Sequence, residues 1–126
     1  MSTPDVLIVD DDRLLRTMLK DALDDVPCHV READSGDAAL AAVAEKAPQV
    51  ILLDLIMPGK SGLDLLKTFA AHRPPMRIVV ISSLDTESLV QQALKDGAHG
   101  FLAKPFHPLD VQSVVRAALE AAEGAP

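Results

Sequence analysis

The 126-residue chain predicts a single α/β domain: a parallel sheet with helices on both faces. Short β-branched runs alternate with longer helical stretches five times along the sequence. Two of these runs, Val50 to Leu53 and Ile78 to Ile81, are apolar throughout, as strands covered on both faces are, and so belong in the middle of the sheet. The length is that of one ordinary domain and leaves no room for a second. We therefore read residues 1–126 as one domain with its core over about 5–122.

The first strand is Val6 to Val9, stopping at Asp10-Asp11-Asp12. Leu14, Leu15, Met18, Leu19, Ala22 and Leu23 then recur at helical spacing until Val26-Pro27 breaks the pattern, because a residue before proline avoids the helical region. His29 to Ala33 is a short second strand, and Asp34-Ser35-Gly36 a turn whose side chains can cap the helix running from about Asp37 to Lys46. The third strand ends at Asp54. A loop over Met57-Pro58-Gly59-Lys60-Ser61-Gly62 leads to a third helix, Leu63 to Ala71. The fourth strand ends at Ser82-Ser83, and its helix runs from about Thr86 to Asp96, where Gly97 supplies a left-handed cap. Phe101 to Ala103 is the last strand, ending at Lys104-Pro105. Pro108 stands near the first turn of a fifth helix that reaches about Glu123.

Composition narrows the function classes. Twelve Lys and Arg against 19 Asp and Glu leave a net charge of −7, which repels phosphate backbones and anionic lipid, so neither nucleic acid nor a membrane surface is an expected partner of this domain. No stretch approaches the ~18 apolar residues of a membrane span, and Met1 to Asp5 carries no signal-peptide pattern, which points to the cytoplasm. The lone Cys28 has no internal partner for a disulfide and reads as a small buried hydrophobe. His29, His72, His99 and His107 show no metal-ligand spacing.

The acid excess is unevenly placed. Ligands of open parallel sheets bind at the carboxyl ends of the strands, and there stand Asp10-Asp11, Asp54, Ser82 and Lys104. If the first strand lies beside the third, three carboxylates converge and repel one another in a partly dry crevice. A hard divalent cation relieves that repulsion, and Mg²⁺ prefers few carboxylates, several waters and a phosphoryl oxygen. A carboxylate is also a nucleophile toward phosphorus, and Lys104 and the Ser82 hydroxyl supply the positive charge and donors that phosphoryl transfer needs. Asp12 is read apart from this set, as a helix cap favoured by the dipole.

The residues carry a resemblance over nearly the whole chain. Asp10-Asp11 after an apolar strand, Asp54-Leu55-Ile56-Met57-Pro58 followed by Gly62, Ser82 after the fourth strand, and Gly97-Ala98-His99-Gly100-Phe101-Leu102-Ala103-Lys104-Pro105 resemble the receiver domains of bacterial two-component response regulators, the chemotaxis receivers among them. Each signal alone is weak. Their order, with 43 positions from Asp11 to Asp54, 28 on to Ser82 and 22 on to Lys104, is specific. The resemblance implies a flavodoxin-like (βα)5 fold with strand order 2-1-3-4-5. It implies Asp54 as acceptor of a phosphoryl group from a sensor histidine kinase or phosphotransfer protein. Mg²⁺ or Mn²⁺ would be held by Asp11, Asp54 and the backbone carbonyl of Ile56, with Asp10 in the outer shell. Ser82 and Lys104 would bind the phosphoryl group, Phe101 would be a switch aromatic that turns inward on phosphorylation, and the Lys104-Pro105 bond would be cis. The face of the fourth helix, fifth strand and fifth helix would signal to a target protein, and members often pair as homodimers through it.

Departures from the family pattern also inform. The positions two after Asp54 and two after Ser82 flank the route of an attacking water in receivers and are often polar. Here they are Ile56 and Leu84, so slow self-dephosphorylation is expected. An aspartyl phosphohydrolase would need a carboxylate two residues after its nucleophile, where Ile56 stands. A flavin or nucleotide carrier would need a Gly- or hydroxyl-rich loop after the first strand, where acids stand. The expected role is thus a phospho-acceptor, not an enzyme with turnover, acting as a stand-alone regulator. The alternative is the N-terminal receiver of a longer regulator with a DNA-binding or enzymatic output, for which Gly124-Ala125-Pro126 would begin a linker.

Overall fold

The computed structural model describes residues 3–59, 61–83 and 86–124. Five strands, β1 (Asp5–Val9), β2 (His29–Ala33), β3 (Val50–Asp54), β4 (Arg77–Ser82) and β5 (Gly100–Ala103), alternate with α1 (Arg13–Ala22), α2 (Gly36–Glu45), α3 (Gly62–Ala70), α4 (Glu87–Lys95) and α5 (Pro108–Gly124). The strands are all parallel, in order β2-β1-β3-β4-β5, the doubly wound arrangement that the sequence predicts.

The apolar runs are buried because successive side chains point to opposite faces, each covered by helices. Val6, Ile8, Val50, Leu52, Val79 and Ile81 face α1 and α5, packing with Leu19, Leu23, Val111 and Val115. Leu7, Val9, Ile51, Leu53, Ile78 and Val80 face the other side, against Ala39, Val43, Leu66, Phe69 and Ala93 of α2, α3 and α4. Removing one such leucine, for example Leu52→Ala, costs about 2–5 kcal/mol. Cys28 is only partly buried and packs against the α1/α5 side.

Helix starts follow the expected chemistry to within a residue. The Asp12 carboxylate accepts from the Leu14 and Leu15 amides at 2.9 and 3.4 Å. Ser35, Ser61 and Thr86 accept from the amides of Ala38, Asp64 and Leu89. Gly97, at φ +117° just beyond α4, takes the left-handed turn that ends it. β1 starts one residue earlier than its apolar run because Asp5 pairs in register with His29, and its amide donates to the Gln49 side chain at 2.5 Å. No helix among the described residues is long and apolar enough to cross a membrane.

Candidate functional site

Sheet register brings the acids together. Val9 pairs with Leu53, so the residues that follow, Asp10 and Asp54, leave adjacent central strands side by side. One carboxylate oxygen from each of Asp10, Asp11 and Asp54 lies within 4.8 Å of the others. Asp10 and Asp54 are buried, whereas Asp11 is exposed at the mouth of the cluster. On the other side of β3, Ser82 is fully buried and pairs in register with Ala103, so Lys104 follows immediately at the same edge; its amide donates to the Ser82 carbonyl at 2.9 Å.

Among the described residues, Lys104 is the cation paired with the carboxylates of the cluster. Its ammonium donates to Asp10 Oδ2 at 3.1 Å and lies 3.5 Å from Asp54 Oδ2. Asp10 is held at its other oxygen, where Oδ1 accepts from the Asp12 amide at 2.9 Å. Asp54 Oδ1 accepts only from the Ile56 amide, at 3.1 Å, among the described contacts. Burial pushes the Asp54 carboxyl above the usual carboxylate range, and the nearby charge of Asp10 adds to the rise. The Ile56 amide and Lys104 pull the other way without cancelling it. One lysine against three acids leaves negative charge in a low-dielectric crevice. Oxygen donors, net charge and convergence are the chemistry of a hard divalent-cation site.

The loop after β3 is shaped by close approach. A Cβ on Gly62 would overlap the Leu55 backbone, so only glycine lets α3 start directly beneath Asp54 and Leu55. Ile56 in the same loop, whose amide meets Asp54, is 55% exposed, and Met57 tucks against the α2/α3 side of the core. Phe101 is half-buried on that side too. The Lys104-Pro105 peptide is cis, as expected, and so is Arg73-Pro74, which no sequence signal distinguished. Leu84, the other expected water-route position, lies outside the described residues.

Among the described residues no histidine joins a metal-ligand group. Nδ1 of His99 accepts from the Ile78 amide at 3.0 Å and Nδ1 of His107 from the Leu109 amide at 3.1 Å, so these rings serve the backbone. One contributor escaped the sequence reading. Arg16 Nη1 donates to the Asp10 carbonyl at 2.8 Å, from a helix read only for its apolar stripe. The signal lay in Arg13, Arg16 and Lys20, which recur at helical spacing along the face toward β2.

Comparison with known proteins gives the same picture. The family model of the response regulator receiver domain matches residues 6–116. The chain is 36% identical over 104 residues to the chemotaxis protein CheY of Thermotoga maritima, covering 82% of this chain and 87% of that one. It is also 36% identical over 119 residues to the DNA-binding transcriptional regulator NtrC of Azospirillum brasilense, where the match covers 94% of this chain but only 25% of the longer relative. The solved receiver domain of NtrX from Brucella abortus superposes with a TM-score of 0.86 at 33% identity, covering 92% of this chain and 98% of that one. With its five-point order of Asp10, Asp11, Asp54, Ser82 and Lys104 gathered at one sheet edge, and with the family model spanning most of its length, the chain belongs to the response regulator receiver domains of two-component systems.

Proposed function

We propose that Asp54 accepts a phosphoryl group from the phosphohistidine of a sensor kinase or phosphotransfer protein, with Mg²⁺ or Mn²⁺ as cofactor. The observation that carries this reading is the charge imbalance at the sheet edge: a buried Asp54 beside Asp10 and Asp11, with Lys104 the one ammonium paired to these carboxylates among the described residues. Asp11, Asp54 and the Ile56 carbonyl would hold the cation directly, and Asp10 would act through water. When bound, the cation would neutralise the cluster and draw charge off the phosphoryl oxygens. An Asp54 oxygen attacks phosphorus, the P–N bond to the donor imidazole breaks, and its electron pair leaves with the ring nitrogen, giving an aspartyl phosphate. Lys104 already holds its ammonium beside that oxygen and pairs with the incoming charge. Ser82 binds a phosphoryl oxygen, and Phe101 moves with it, so that the α4–β5–α5 face presents a changed surface to the target protein.

Ile56 gives the site its persistence. An exposed aliphatic side chain has no lone pair with which to orient or deprotonate a water, so hydrolysis of the acyl phosphate is slow and the domain is an acceptor without turnover. Relatives of both kinds, one nearly coextensive with this chain and one four times longer, bear on the whole protein. A stand-alone cytoplasmic regulator is the reading we favour, and a receiver joined to an output domain is the alternative that the full reading frame decides. The direct test of acceptance is incubation with acetyl phosphate and Mg²⁺, followed by intact mass. One phosphoryl group on the wild type and none on Asp54→Ala is the expected result; labelling that persists in Asp54→Ala overturns the assignment.

A further inference from the structure

The geometry points to Arg16 as a positioning residue for the carboxylate cluster: it ties the Asp10 carbonyl to Glu32 and so fixes the Asp10–Asp11 peptide that aims Asp11 at Asp54. This rests on the metal-site reading above. Arg16 stands on the second turn of α1 with its side chain 14% exposed. Its fork makes two bonds in different directions. Nη1 donates to the Asp10 carbonyl at 2.8 Å, and Nε donates to Glu32 Oε1 of β2 at 3.2 Å. Lys20, one turn on, lies 3.7 Å from the other Glu32 oxygen and holds that carboxylate in place.

Asp10 is thereby fixed at four atoms. Its amide donates to the Ala33 carbonyl at 3.1 Å, Oδ1 accepts from Asp12, Oδ2 from Lys104, and its carbonyl from Arg16. Asp11 is different, since it is exposed and its carboxylate reaches the cluster only as far as its backbone directs it. The carbonyl of Asp10 and the amide of Asp11 belong to one planar peptide, so anchoring the first sets the direction from which the Asp11 side chain leaves. Outer partners that orient ligands this way are typically worth about 10–100-fold in metal affinity.

The sign of the effect separates this role from simpler ones. Arg16 is a cation near a divalent-cation site, so by charge alone its removal would tighten metal binding. Positioning predicts the reverse. We expect Arg16→Met, in the full chain, to weaken Mn²⁺ binding about tenfold, read by the free-ion electron paramagnetic resonance signal. Arg16→Lys should fall between Met and wild type, because an ammonium lacks the planar fork that reaches both acceptors; it also serves if Arg16→Met does not fold. Wild-type or tighter Mn²⁺ binding by Arg16→Met, or by Arg16→Lys in its stead, overturns the proposal, and a lowered melting temperature with unchanged Mn²⁺ affinity makes Arg16 a strut only. Asp54→Asn is the control on the underlying reading. If it binds Mn²⁺ as wild type does, the metal site itself is misassigned and the role of Arg16 falls with it.

Discussion

At the N-terminal edge of the sheet Asp5 is 1% exposed, and at the C-terminal edge Asp54 is 2% exposed. Asp5 is answered by a dedicated cation. Arg31, its neighbour but two on the adjoining strand, meets Asp5 Oδ2 through Nε at 2.7 Å and Nη2 at 2.6 Å. The same guanidinium donates to the Ala42 and Lys46 carbonyls at the end of α2, where the helix dipole favours a cation. Asp54 shares Lys104 with Asp10 and has Asp11 beside it. One end of the sheet is closed in charge, since Asp5 has a cation to itself, although its Oδ1 has no hydrogen-bond partner among the described residues; the other end, with one described lysine against three acids, is open. A buried aspartate is therefore not in itself a functional signal. The signal is a buried aspartate that, among the described residues, shares its cation with a neighbouring acid.

The strongest way to break this contrast is to remove each cation. Arg31→Met leaves Asp5 buried and unpaired, and should cost about 3–5 kcal/mol in urea unfolding whether or not Mg²⁺ is present. Lys104→Met should also destabilise, but Mg²⁺ should restore part of the loss, since a bound ion that favours the folded state stabilises by mass action. Equal response of the two variants to Mg²⁺ would erase the distinction between the edges. A smaller effect sharpens the open end. Ile56→Glu places a proton acceptor beside the acyl phosphate and should shorten its lifetime on the order of tenfold, below the ~10²–10⁴ of a positioned acid–base group. Phosphate release from the isolated, acetyl-phosphate-labelled chain measures it, and an unchanged rate would remove Ile56 from the account.

The smallest effect belongs to the closed end. Burial, with the charge of Arg77 adding to it, lowers the His99 pKa, and its Nδ1 must stay unprotonated to accept the Ile78 amide. The folded state therefore binds fewer protons than the unfolded one between the lowered value and the ordinary ~6.5. Stability from His99 is present above that window and is lost as pH falls through it. Melting temperatures measured from pH 7.5 down to 5 should show a shallower fall for His99→Gln than for wild type; parallel curves would remove His99 as a contributor.

Much of this was legible in the residues alone. The apolar runs of β3 and β4 placed them centrally, and the spacing from Asp11 to Lys104 marked the site before any strand was paired. What escaped were contacts between residues of ordinary appearance. Asp5 read as the residue before a strand, and only its register with His29 puts the side chain of Arg31 against it. Arg16 lies outside the apolar stripe that marks α1 in the sequence, and only folding brings its fork to the Asp10 carbonyl. Periodicity reports which residues are buried; it does not report which polar groups meet across elements, because those pairings depend on register and side-chain reach.

The most direct test of the open charge is equilibrium unfolding of wild type and Asp54→Asn with and without Mg²⁺. A carboxyl whose pKa is raised by folding makes the charged form less favourable in the folded state. Without metal, Asp54→Asn should therefore be the more stable protein, by about 0.5–2 kcal/mol, and Mg²⁺ should stabilise the wild type while leaving Asp54→Asn nearly unchanged. An Asp54→Asn variant no more stable than wild type, or a wild type indifferent to Mg²⁺, would contradict the claim that this end of the sheet holds charge in reserve for a cation and a phosphoryl group.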